Sequence, residues 1–218
     1  MGQLAYDENP KLGYTVYIEE SGTLTPYLVL TNDYNDSGNT LLLRTYIMDE
    51  MHRYNSMFRG AAYYNGCELD VWLNDEFLDT IGGVDIVDST INISAKEALG
   101  HCGDETEDIT RKAFLLSWGE VGARANSTIP DSGERLDYFS DPKRRIACRA
   151  NGNLCAWDLR SVATCNDSRS TGVSMTGSVG GGGVDHENGT RPAFCVDSET
   201  EVVLLEDAEL GEIFIATK

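Results

Sequence analysis

Two segments near the C-terminal end constrain the fold more than anything else in the chain: CAWDLRS, from Cys155 to Ser161, and GTRPAFCV, from Gly189 to Val196, separated by a Gly-rich run. Each sets an arginine, Arg160 or Arg191, among large apolar residues. A guanidinium buried in such company has to be held by carbonyls or by a carboxylate. The pattern predicts paired core strands, with Trp157, Arg160, Arg191, Pro192 and Phe194 in the interior. No catalytic motif accompanies it.

The chain of 218 residues is long enough to bury a sizeable core, and it reads as one domain with extensions. Its 22 glycines against 5 prolines point to many tight turns. The net charge of −19 repels nucleic acid and anionic membrane surfaces, and the one concentrated basic run, Pro142 to Arg149, is too short to offset it. The first twenty residues hold no apolar signal core, and no run approaches the ~18 apolar residues of a membrane span. Synthesis in a cytoplasm without membrane insertion is therefore expected. Tyr6 stands where a myristoylation signal needs Ser or Thr. The six cysteines (Cys67, Cys102, Cys148, Cys155, Cys165, Cys195) show no Cys-x-x-Cys spacing, and His52, His101 and His186 are scattered. Reduced, mostly buried thiols and no metal centre are expected.

Along the chain, residues 14–18, 27–30 and 41–43 read as three strands of an antiparallel meander. The second and third are joined by NDYNDSGN, where Asp33, Asn35 and Asp36 serve a turn rather than a calcium loop. Asn65 with Glu68 resembles a capping box, and Leu69, Trp72, Leu73 and Phe77 follow at helical spacing, so a helix with Trp72 in the core is expected before Gly82-Gly83. STINIS, Ser89 to Ser94, alternates as a strand, and the polar stretch after it reads as loop. Ser117 with Glu120, and Ser140 with Pro142, mark two further short helices. Gly180 to Gly183 lack the Lys-Ser/Thr of a phosphate loop and read as a flexible hairpin loop. Residues 201–206 and 212–217 read as a strand pair or docking tail.

The ordered set of YNGCELDVWLNDEFL, RKAFLLSWGEVG, DYFSDPKRRIA, WDLRS and GTRPAFC resembles an uncharacterised prophage-associated domain family, also frequent in anaerobic Gram-positive bacteria. Members carry Trp-Trp-Leu-Arg-Ser-Pro and Gly-Val-Arg-Pro-Ala segments; this chain departs from the first at Ala156 and Asp158 and from the second at Thr190. The resemblance implies an α+β, C-type-lectin-like fold similar to formylglycine-generating enzymes: a twisted antiparallel sheet, one or two packed helices and long C-terminal loops. On this reading residues 1–13 are an N-terminal arm, 14–197 the lectin-like domain and 198–218 the terminal strand pair.

The function implied is that of a phage or prophage virion protein, a capsid decoration, fibre or baseplate component, showing a lectin-like face to host-surface glycan. Asp167, Arg169, His186, Glu187 and Asn188 are the candidate ligand-binding residues. No cofactor or catalytic residue is assigned, and other virion proteins and further copies of the chain are the expected partners. The alternative is a purely structural assembly module. An oxidase of the formylglycine type would need two close cysteines, for which Cys148 and Cys155 are the nearest pair.

Overall fold

The computed structural model describes residues 2–4, 14–57, 62–123, 128–130, 132–197 and 199–218. Most of the expected arm, residues 1 and 5–13, lies outside the described residues. The longer strands in chain order are β1 (Thr15–Glu20), β2 (Thr23–Thr31), β3 (Asn39–Arg44), β4 (Ser89–Ser94), β5 (Thr106–Arg111) and β6 (Trp157–Val162). They are followed by β7 (Arg169–Val173), β8 (Val179–Gly183), β9 (Ala193–Asp197), β10 (Glu201–Asp207) and β11 (Gly211–Thr217). A single α-helix, α1 (Glu68–Trp72), is present among the described residues.

The main sheet runs β10-β11-β1-β2-β3-β9, and the short strand Ala113–Phe114 lies on the far edge of β9. The meander is antiparallel throughout, as the alternating apolar pattern requires. Leu41 to Leu43 of β3 and Ala193 to Val196 of β9 are all buried, so both faces of the sheet's centre are covered. The turn between β2 and β3 is closed by Asp33, whose Oδ1 accepts the Gly38 amide at 2.7 Å. Asn35 and Asp36 take left-handed conformations beside it, which assigns these polar side chains to turn geometry.

The fold corrects the α+β expectation. The described residues are mostly β, 44% strand against 14% helical, and the only α-helix among them is the five-residue α1. The C-type-lectin-like assignment, implied by the motif resemblance and calling for one or two packed helices, is corrected with it. The apolar spacing after Asn65 is real, but Cys67 rather than Asn65 caps α1, its sulfur accepting the Asp70 amide. After Trp72 the backbone widens into a π-type turn over Leu73–Phe77 and then tightens over Leu78–Thr80. Asn74 helps divert it, since its Nδ2 bonds both the Asp70 carbonyl at 3.0 Å and the Ala113 carbonyl at 2.9 Å. Trp72 is half-buried, not core.

Ser117 and Glu120 do make the reciprocal capping bonds, Ser117 N to Glu120 Oε2 at 2.8 Å and Glu120 N to Ser117 Oγ at 3.1 Å. The helix they announce ends within a turn, because Gly122 has φ +68°. At the third site Asp141, not Ser140, is the cap, and only tight 3-10 turns form. The polar stretch read as loop holds β5, paired with β4 along its length. The four glycines are not a loop either: they form most of β8, paired residue for residue with β7.

The two arginine segments lie in different sheets, β6 with β7 and β8, and β9 in the main sheet. They touch at one parallel bridge, Trp157 with Gly189, and where the Arg191 guanidinium lies 4.9 Å from the centre of the Trp157 ring. Arg191 is otherwise held by the Arg44 carbonyl at 3.1 Å and the Thr45 carbonyl at 3.3 Å, and burial lowers it to about 10. Trp157, Pro192 and Phe194 are buried around it.

Arg160 is enclosed with Glu120, at 0% and 1% exposure. Its Nη1 and Nη2 each reach a Glu120 oxygen at 2.7 Å, while Nε and Nη1 also donate to the Asn92 and Leu115 carbonyls at 3.0 and 2.8 Å. Tyr34 Oη completes the carboxylate's shell at 2.6 Å. Burial works against the charge on Arg160, and the adjoining Glu120 outweighs it, leaving the guanidinium above its ordinary value.

Cys102 and Cys165 form a disulfide, which corrects the expectation of six reduced thiols. Thr164 ties the same two loops, its carbonyl accepting the Gly100 amide and its hydroxyl donating to the Gly103 carbonyl at 2.8 Å. The crosslink spans 63 residues, and removing it should lower stability by about 2–4 kcal/mol. Urea unfolding of Cys102→Ser against the parent, without reductant, reads this; an unmoved midpoint would show that the hydrogen bonds alone hold the loops. Of the remaining thiols, Cys67 and Cys195 are buried and pushed up to about 12 by it. These are unreactive positions.

Candidate functional site

Beside β8 lies an open hollow of about 390 Å³ lined by the three-stranded sheet and the segment His186–Asn188. Its floor follows from strand register. Asp158 pairs with Gly172, and Gly172 with Gly180, so one row across the sheet carries a carboxylate followed by two residues without side chains. In the next row Ser170 pairs with Gly182. A side chain at Gly180 or Gly182 would meet no atom within 4 Å. A Cβ at Gly172 would sit 2.9 Å from the Trp157 carbonyl oxygen and 3.5 Å from both Asp158 Oδ1 and Asn188 Nδ2. Glycine at these positions leaves the hollow open beside Asp158.

Asn188 is brought to Asp158 by the close approach of the next residue. Gly189 N donates to the Ala156 carbonyl and its own carbonyl accepts the Asp158 amide. A Cβ there would fall 2.5 Å from the Ala156 oxygen and 2.6 Å from Ile47 Cγ2. Asn188 Nδ2 then donates to Asp158 Oδ1 at 2.9 Å.

Asp158 is 5% exposed. Asn188 donates to its carboxyl, and Asp158 is among the residues lining the hollow. Burial raises this carboxyl to about 7, against the opposing pull of the Asn188 bond. The site is thus a hydrogen-bond acceptor, an amide beside it, and a main-chain floor with Ser174 and Ser178 at its rim.

Three of the five residues proposed from sequence line this hollow: His186, Glu187 and Asn188. Asp167 and Arg169 do not. Asp167 faces Ser168, its Oδ1 accepting that hydroxyl at 3.1 Å, and its carbonyl takes the Ala62 amide. Arg169 belongs to the alternate face of β7 and donates to the Gly181 carbonyl at 3.2 Å. Asp158 itself was missed. Its signal was a carboxylate inside an apolar strand next to a glycine run.

Cys148 pairs with Leu154 and Cys155 with Ala147. Adjacent cross-strand positions alternate faces, so the two thiols point apart and form no pair of the oxidase kind. Among the described residues no three His, Cys, Asp or Glu side chains converge as a metal site.

Residues 37–198 match the profile of a domain of unknown function, DUF6273. The chain belongs to the DUF6273 family. No curated protein and no solved structure matches it. The DUF6273 match takes in β3 to β9, and therefore every residue lining the hollow. Strands β1 and β2, which continue the sheet from β3, lie outside it, as does the terminal hairpin β10–β11. No helix of the DUF6273 chain is long and apolar enough to cross a membrane among the described residues.

Proposed function

We propose that this DUF6273 chain is a non-catalytic recognition module that takes neutral carbohydrate in the Asp158 hollow, as a component of a phage or prophage particle facing a host envelope. The observation that carries the binding reading is the buried Asp158 carboxyl, bonded to Asn188 and lining a hollow walled by glycines. An acceptor beside an amide matches the donor and acceptor faces of neighbouring sugar hydroxyls, and water excluded from the floor strengthens each bond. No lysine or arginine lines the hollow and the chain's net charge is −19, so anionic ligands are disfavoured. The Cys102–Cys165 disulfide suits a protein that works outside a reducing cytoplasm, as a particle released by lysis does.

A second reading, assembly with other particle subunits or with copies of the chain, has its own support. The terminal hairpin, added to the sheet edge, leaves Leu204 and Leu205 exposed on its first strand and Leu210 exposed in its turn.

A glycan array probed with purified protein tests the first reading. Neutral glycans should bind, and both Asp158→Asn and Gly180→Val should abolish the signal. A Cβ at Gly180 meets no atom within 4 Å, so the second variant adds its bulk on the open side of the strand. An empty array, or a signal that survives both changes, overturns the carbohydrate reading, and an empty array with a large assembly in light scattering establishes the second.

A further inference from the structure

We propose that a cleft lined by the stacked His52 and Trp72 lies next to the Asp158 hollow as a second subsite, so that the ligand is a neutral oligosaccharide of at least two units. This inference rests on the carbohydrate reading. The two-residue strand Glu187–Asn188 pairs with His52–Arg53, Glu187 opposite Arg53 and Asn188 opposite His52. Asn188 reaches into the first hollow, and Glu187 lines both that hollow and a cleft of about 300 Å³ on the other side. The two depressions share one wall.

The second cleft has the chemistry the first lacks. Trp72 and His52 stack with centroids 3.8 Å apart and planes inclined at 30°, and Phe77 supports the indole from 5.9 Å. Ser56, Glu68 and Glu187 surround this aromatic surface with polar groups. A pyranose ring has one apolar face of C–H groups and a rim of hydroxyls, and the half-exposed His52–Trp72 stack bordered by polar groups offers a surface for both. Arg53 also lines the cleft and pairs with Glu187 at 3.2 Å, which leaves Glu68 as the carboxylate that disfavours acidic sugars here. The tryptophan environments fit a surface role for this one: Trp118 and Trp157 are buried, and Trp72 is half-exposed. Its partial exposure was left unexplained by the core role read from helical spacing.

The test is calorimetric titration with two neutral ladders, glucose and N-acetylglucosamine, each as the monosaccharide and its β-1,4-linked dimer, trimer and tetramer. Affinity should rise roughly tenfold or more from monomer to trimer in the ladder that binds, the ratio that about 1.4 kcal/mol of added contact gives. Trp72→Ala should remove that rise while leaving monosaccharide affinity within about twofold, and Trp72→Phe should restore part of it. In the unmodified protein, trimer but not monosaccharide should shield tryptophan fluorescence from acrylamide, a readout independent of any variant's folding. Equal affinity for every chain length, or equal loss across the ladder in Trp72→Ala, overturns the second subsite and leaves the first hollow standing. Absence of binding by every member of both ladders overturns the two together.

Discussion

Glu120→Ala should destabilise the protein by about 3–5 kcal/mol, because it strands the Arg160 guanidinium in the core without its counter-charge. The carboxylate holds four groups at once: two Arg160 nitrogens, the Tyr34 hydroxyl and the Ser117 amide. Those groups come from β6, the turn before β3, and the segment after Ala113–Phe114, so the loss falls on the joint between sheets. The double variant Glu120→Leu with Arg160→Met separates charge from connectivity. If the buried charge dominates, the double variant should recover most of the stability lost in either single one, since an apolar pair of similar volume often matches a buried ion pair. Urea unfolding of the four proteins decides it. A double variant as unstable as the sum of the singles would show that the hydrogen bonds to the Asn92 and Leu115 carbonyls matter more than the charge.

Asp158→Asn is expected to do the opposite, raising stability at pH 8 while destroying ligand binding. In the folded protein this carboxyl keeps its proton up to about 7, whereas its ordinary value is 3.8. Between those values the folded state holds a proton that the unfolded state has released, so stability falls as pH rises through the window and the loss is complete above it. About three units correspond to about 4 kcal/mol. Asparagine carries no such charge. The two proteins should therefore be equally stable near pH 4 and diverge toward pH 8, with the variant ahead by up to about 4 kcal/mol. Ligand affinity of the parent should decline in the reverse sense, weakening as acidification through pH 7 protonates the acceptor. Chemical denaturation at pH 5 and pH 8 measures the first effect, and titration with a bound sugar the second. Parallel pH profiles for parent and variant would remove Asp158 from the list of buried charges.

What could be read from the sequence was what side chains announce. The meander strands alternate, and the arginines among apolar residues marked the interior correctly as a place needing carbonyls and a carboxylate, although the Glu120 partner could not be named from spacing. β8 was unreadable for a physical reason: Gly180 to Gly183 have no side chains, so no period exists, and their pairing with β7 is made by main chain alone. β5 was hidden because Thr106 to Arg111 alternate between half-exposed and exposed, with no buried face to leave an apolar trace. The helices were over-read, since local caps formed but Asn74 and Gly122 turned the chain aside. At the site, polar residues next to glycines drew attention to His186, Glu187 and Asn188, while Asp167 and Arg169 shared that composition but were turned elsewhere by the strand. Trp72 carried a helical period that placed it in the core, and the structure leaves it half-buried.

A binding floor built of peptide groups has a property that one built of side chains lacks. Gly180 and Gly182 look onto empty space, so each methyl or hydroxyl gained there would narrow the trough in a small graded step without disturbing the scaffold beneath. On the proposed carbohydrate reading, single codon changes from glycine to alanine, serine or valine would tune the width of the hollow while the fold stays the same.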